Sequence, residues 1–422
     1  LHIVISCIGT YGHVYPHIAV GQTLAQRGHD VQFLTCEYFQ EHVERAGLAF
    51  TSVLSSAQYL AGVRDPEVWQ NPWRGMRASW RHLSPSMQRG YDALAAHIRP
   101  GESILVGNSL ALWVRLAQEK FGNPAATIHL SPIALLSAKA PPFGILPGLE
   151  RLPSWTVRML LSLLERTISD PIIAPDLNRF RASLGLPPVR SISRTWLHSP
   201  TRVICAFPDW FAAPAPDWPA NTVCTGFPKL PTVGTGELDP ALLAFIEAGA
   251  PPIAFTPGSG VGSSRLFFDR ALGACRALGR RAILATPFRD QLPDILPEFA
   301  FHAAYVPYDL LAPRVAAFVH AGGIGTIGLL LEAGTPQLFT PFTAEHTDNA
   351  MRAIALGVGL KLAPRAPLRA WTKALSTLLT EPGIRRSCAE IIQKCGSGGL
   401  AREQIADWIE QLNPNGRDDI GR

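Results

Sequence analysis

The seven cysteines, Cys7, Cys36, Cys205, Cys224, Cys275, Cys388 and Cys395, contain no Cys-x-x-Cys pair. Zinc ribbons and dithiol oxidoreductases need that spacing, so both classes drop out. The odd number, with no secretory segment ahead of the first strand-like run, predicts reduced thiols and a cytoplasmic chain. Dense Lys/Arg runs interleaved with aromatics are also missing, and the net charge is only +5, so nucleic acid is not expected as a partner. That mild basic bias suits an anionic substrate or a membrane surface. No long apolar run is present either. Val315 to Leu331 is free of Asp, Glu, Lys and Arg but Gly-rich and holds His320, and Pro124 to Ala138 is too short to span a bilayer.

What is present is enough apolar residue for two cores. At 422 residues and 47% hydrophobic, the chain suits two domains of about 200 residues each. Ile3 to Ile8 reads as a buried strand, Gly9 to Pro16 as a turn, the next stretch as a helix ending at Arg27-Gly-His29, and Val31 to Thr35 as a strand. This βαβ opening predicts a parallel sheet. Strand-like runs at 103–106, 125–129 and 201–205 continue it, and 252–256, 281–285, 301–306, 315–319 and 337–340 form a second set. Residues 229–239 have linker composition. The predicted division is therefore 1–230 and 240–397, followed by a helix near Ala401 to Leu412. Pro132 to Ile173 stands apart as a Pro- and Gly-rich stretch with an apolar helix from Trp155 to Leu164, suited either to an apolar acceptor or to covering the core.

Residues 320–326, His-Ala-Gly-Gly-Ile-Gly-Thr, join a strand-like run to a helix-like one. A strand that empties through glycines into a helix N-terminus offers backbone N–H groups and a favourable dipole to an anion, here a nucleotide diphosphate. Tight helix-to-sheet packing is the alternative use of such glycines. His13, in the turn after the first strand, is a candidate general base because imidazole titrates near neutrality. A capping role is its plainer alternative.

With Tyr305-Val-Pro-Tyr308 before this motif and Pro341 to Ala350 after it, the chain resembles the family 1 glycosyltransferases. The resemblance implies an α/β, GT-B architecture, with two facing Rossmann-like domains and a cleft between them, and a last helix (400–413) crossing back to the first domain. It implies inverting transfer from a nucleotide sugar, with His13 in a Gly-His-x-x-Pro turn as base. The family's Asp partner is replaced by Asn108 or Ser109, either of which would hold the ring by a hydrogen bond. Donor contacts are expected from Gly12, Ser259, His320, Gly322, Gly323, Ile324, Gly325 and Thr326. Tyr305 would stack on the nucleobase, and Tyr308 stands where Gln is usual. Glu345 and His346 replace the usual sugar-reading Asp-Gln. Leu329, or with a one-residue shift Glu332, falls where many members hold the ribose; a leucine there fits a deoxyribose, hence dTDP. No DxD-like pair lies near these turns, so neither a metal nor a cofactor beyond the donor is implied.

A narrower resemblance, to the rhamnosyltransferases of bacterial rhamnolipid synthesis, rests on Trp196-Leu-His-Ser-Pro200, Val203 to Phe211 and Asp217 to Pro228. It implies L-rhamnose transfer from dTDP-L-rhamnose to the hydroxyl of a 3-(3-hydroxyalkanoyloxy)alkanoate, with loose inner-membrane contact or a partner subunit. Those relatives have Asp at the position of His13. Rival expectations are a UDP-hexose donor with another lipid or polyketide acceptor, a nucleotide-sugar epimerase, and a non-catalytic nucleotide-sugar-binding subunit.

Overall fold

A computed structural model describes residues 1–70, 72–229, 237–258, 264–396 and 398–412. The chain divides into two compact units, Leu1–Leu230 with Gly398–Arg422, and Pro231–Ser397.

The first unit is built on a seven-stranded parallel sheet: β1 (His2–Ser6), β2 (Asp30–Cys36), β3 (Ala49–Leu54), β4 (Ser103–Asn108), β5 (Ala125–His129), β6 (Arg202–Cys205) and β7 (Thr222–Cys224), in the order β3-β2-β1-β4-β5-β6-β7. β1, β4, β5 and β6 are buried along their whole length, as strands covered on both faces must be, which is why they read as unbroken apolar runs. The chain order reverses between β1 and β4. In open parallel sheets that reversal opens a crevice at the carboxyl ends of the strands.

The Gly398–Glu410 helix packs on the Tyr11–Gln26 helix of this unit. Ile405, Ala406 and Ile409 are buried, while the Arg27 guanidinium reaches Glu403 (2.6 Å), Asp407 (2.7 Å) and Glu410 (2.9 Å). Arg202 stacks over Trp408, 4.7 Å from the ring centre.

The second unit repeats the plan with six parallel strands: β8 (Ile253–Thr256), β9 (Ala282–Ala285), β10 (Ala300–Ala303), β11 (Ala317–His320), β12 (Gln337–Phe339) and β13 (Gly359–Lys361), ordered β10-β9-β8-β11-β12-β13. Its reversal lies between β8 and β11, so the glycine turn after β11 sits at the switch point. Both units are therefore doubly wound α/β sheets, as the sequence predicts.

Within 132–173 the Ser154–Leu164 helix runs through a π-helical turn, Glu165–Ser169, into the Asp170–Ser183 helix. Its buried side, Val157 and Leu161, packs with Ala138 and Leu149 in a satellite core. Among the described residues no helix is long and apolar enough to cross a membrane.

Candidate active site

β1 leads through Gly9 and Thr10 into the helix that carries His13 in its first turn. Gly9 has φ +130°, and a Cβ there would lie 2.7 Å from His13 Cγ, so only glycine lets the imidazole fold back over the turn. The ring's Nδ1 lies 3.3 Å from Thr10 Oγ1. For Nε2 to act as a base, Nδ1 must carry the proton and the threonine oxygen must accept it.

Asn108 does not hold this ring. At the end of β4, 5% exposed, it donates from Nδ2 to the Ile8 carbonyl (2.7 Å) and accepts on Oδ1 from Ala111 N (3.1 Å). The expectation of Asn108 as the ring's orienter is thereby corrected: its amide joins β1 to β4 across the switch point. Thr10 takes the place beside Nδ1, a role that only the Gly9 turn creates. Ser109 is half-buried just past the strand, and Gly12 is exposed in the helix's first turn. Asn108→Asp is expected to destabilise the chain by about 1–3 kcal/mol without raising kcat, because a carboxylate loses the bond to Ile8 and faces its carbonyl oxygen. A melting curve with an activity assay checks this; a faster, equally stable variant would contradict it.

An aromatic wall adjoins His13, and sequence reading did not single it out. Tyr11 and Tyr15, two residues either side of the histidine, meet edge to face at 5.1 Å, and Tyr11 also packs on Phe39 (5.1 Å) and Tyr38 (5.9 Å). Tyr59 tilts against Tyr38 at 4.8 Å. Beyond β4, Trp80, Leu83, Met87, Leu110, Leu112 and Trp113 form a closely packed apolar cluster.

In the second unit, β11 ends at His320 and the Ile324–Glu332 helix begins with Gly323 as its N-cap. Gly322 takes φ +105°, where a Cβ would lie 2.7 Å from the His346 carbonyl oxygen. Asn349 Nδ2 donates to the Gly322 carbonyl at 3.2 Å, fixing the turn from the other side. No side chain caps this helix and its first turn carries no acid. A Cβ on Gly323 or Gly325 would meet nothing within 4 Å. The N–H groups of Ile324, Gly325 and Thr326 belong to the first turn, whose donors lack intrahelical acceptors and face that open space.

His320 supports this cradle from behind. It is 1% exposed; Nδ1 accepts from Gly322 N (3.3 Å), so Nε2 carries the proton and donates to Gln337 Oε1 (3.0 Å). Burial lowers its pKa to about 3, so the ring is neutral. The expectation of a direct His320–diphosphate bond is corrected accordingly, because Nδ1 is engaged by Gly322 N in the turn and Nε2 by Gln337 on β12.

Tyr308 is half-buried, packed against the core and edge to face on Phe318 at 5.1 Å. Tyr305 lies past the end of β10 and is 74% exposed, its ring face open. Glu345 and His346 are half-buried in the first turn of the Ala344–Ala355 helix, which Thr343 caps by accepting from His346 N at 3.1 Å. Leu329 and Glu332 are half-buried on the glycine-turn helix. Ser259 lies outside the described residues. Among the described residues no group of three or more His, Cys, Asp or Glu side chains is arranged to hold a metal ion.

Burial also pushes His17 and His198 down to about 4, and His129 well below the ordinary range. All three, with His320, are neutral when folded and take up a proton near pH 6.5 when unfolded. The unfolded state therefore binds more protons below that pH. Stability is full above about pH 6.5 and falls toward pH 4 by about 1.4 kcal/mol per pH unit for each such histidine. Chemical denaturation across this range checks the slope; a flat profile would contradict neutral burial.

Residues 3–97 match the glycosyltransferase family 28 N-terminal domain, and residues 275–410 match the erythromycin biosynthesis protein CIII-like C-terminal domain. The glycosyltransferase GtfE of Amycolatopsis orientalis is 29% identical over 390 residues, covering 90% of each chain. The kitacinnamycin glycosyltransferase structure superposes with a TM-score of 0.74 at 19% identity, over 98% of this chain and 99% of that one. The spinosyn rhamnosyltransferase SpnG, complexed with thymidine diphosphate, gives 0.65 at 18% identity, over 96% and 100%. At these identities the two structures speak to the fold alone. With both domain matches and two parallel-sheet units, the chain is a glycosyltransferase of the GT-B fold.

Proposed function

We propose that the chain transfers a 6-deoxyhexose, L-rhamnose, from dTDP-L-rhamnose to the hydroxyl of an apolar acceptor, a 3-(3-hydroxyalkanoyloxy)alkanoate, with inversion at the anomeric carbon. The observation that carries the donor half is the uncapped helix N-terminus after β11, with open space above Gly323 and Gly325. It suits a diphosphate, and stabilising that leaving group is the largest single contribution to such a transfer. In this reading His13 takes the acceptor proton as the anomeric carbon gains oxocarbenium character. Tyr305 offers an open ring face to the base, and Glu345 and His346 read the sugar. Leu329 in place of a ribose-binding carboxylate favours thymidine, and SpnG supplies a precedent for a rhamnosyltransferase holding thymidine diphosphate.

The acceptor half rests on the narrower sequence resemblance together with the apolar surroundings of β4. A second acceptor reading, a ring-containing natural-product scaffold, is favoured by the aromatic wall at Tyr11, Tyr15 and Tyr38, since flat tyrosine faces suit rings better than acyl chains. Purified protein given dTDP-L-rhamnose and UDP-glucose together, with each acceptor class in turn, separates these by product mass. A rhamnose adduct of the hydroxy acid is expected. A rhamnosylated ring scaffold alone would shift the acceptor, and a hexose adduct or none would overturn the proposal.

A further inference from the structure

The Ser154–Leu164 helix is apolar on two sides, and only one of them is covered. Opposite the satellite core, Trp155 is 69% exposed, Met159 56%, Leu163 54% and the preceding Leu152 42%. At 100° per residue the three helical side chains share one face, a stripe about 12 Å long, with Leu152 in extended chain just ahead of the helix. Its electrostatics are one-sided. Arg158 is exposed along one flank, Arg166 is exposed three residues beyond Leu163, and Arg151 is exposed in the turn before the helix. Two acids of this stretch are engaged by backbone N–H groups, and the third offsets Arg151. Glu165 accepts from Arg194 N (2.9 Å), Asp170 from Ser191 N (2.9 Å) and Ile192 N (3.1 Å), and Glu150 lies against Arg151 (3.5 Å). Beside the stripe, Ser154, Trp155, Arg158, Met159 and Ser162 line an open recess of about 320 Å³ that pairs a guanidinium with apolar walls.

We infer that this face seats on an anionic lipid surface, with Trp155, Met159 and Leu163 at the headgroup boundary and Arg158 and Arg166 against the phosphates. Tryptophan beside arginine is the pairing an in-plane amphipathic helix uses. One helix face of this length is well below the roughly 800 Å² per partner of a stable protein interface, so a second copy is a poorer occupant. The inference rests on surface chemistry and is independent of donor and acceptor.

The test is flotation of the full chain with vesicles of phosphatidylcholine, with and without phosphatidylglycerol. Binding is expected only to the anionic vesicles. Met159→Glu with Leu163→Glu should abolish it, and Arg158→Gln with Arg166→Gln should weaken it roughly thirtyfold. The substituted side chains are exposed, so unchanged melting curves should accompany the loss; Trp155→Ser serves as a second probe should the double variant melt early. Failure of the unaltered chain to float, equal flotation with neutral vesicles, or full binding by the Met159/Leu163 variant would each overturn the inference. So would a solution dimer that the same variant dissociates.

Discussion

His13→Ala is expected to lower kcat roughly a thousandfold while leaving dTDP affinity unchanged. Removing the imidazole takes away the acceptor's base and nothing from the glycine turn of the other unit. The fold should survive, because the ring is half-buried and its side chain bonds to Thr10 Oγ1 at 3.3 Å, a contact within one turn of chain. Thr10→Val probes the same ring more gently. It deletes the hydroxyl beside Nδ1, so the pH profile of kcat should move while KM for the donor stays. A neutral hydroxyl fixes the tautomer but cannot stabilise an imidazolium as a carboxylate does, so the proposed mechanism has His13 act without a charged partner at Nδ1. A His13→Ala enzyme with near-normal kcat would remove His13 from the chemistry.

Gly325→Asp is expected to weaken donor binding roughly a hundredfold without unfolding the chain. The new Cβ meets nothing within 4 Å, and an acid in the first turn of the Ile324–Glu332 helix complements its dipole. The carboxylate would occupy the space where a diphosphate accepts N–H bonds and would repel it. Losing two charge-assisted bonds raises Kd for dTDP roughly a hundredfold. Gly325→Ala is the control, expected to bind nearly normally. Calorimetric titration with a melting curve separates the effects: the Asp variant should melt no lower than the unaltered chain and bind far worse. Equal dTDP binding by both variants would place the diphosphate elsewhere.

Much of the fold was legible because parallel strands buried on both faces leave unbroken apolar runs, as at β1, β4, β5 and β11. The strands that escaped notice lie at the sheet edges. β7 and β13 are three residues long and only partly buried, unlike the equally short but fully buried β12, and β3 is half-exposed along most of its length. The glycine turn after β11 was visible as a motif because its chemistry is backbone chemistry, and backbone freedom is written in glycines. Side-chain roles were harder to read. Asn108 stands where a carboxylate was sought, but its amide bonds only backbone. Tyr308 follows a Pro in a plausible base-binding position, yet it is drawn into the core by Phe318. His320 keeps its place beside the glycine turn and works through Gly322 N instead of outward. Each of these assignments depends on what packs behind the residue, which one-dimensional spacing does not encode. The aromatic wall was missed for the same reason: Tyr11, Tyr38 and Tyr59 are brought together by β2 and the turns after it, from separate stretches of chain.

The most direct test of the central claim, a base-assisted displacement at the anomeric carbon, is the NMR anomeric configuration of the product made from dTDP-L-rhamnose. The account predicts a single product with the configuration inverted relative to the donor. A product with retained configuration would contradict it, since retention requires a path in which the activated acceptor hydroxyl does not displace the diphosphate directly.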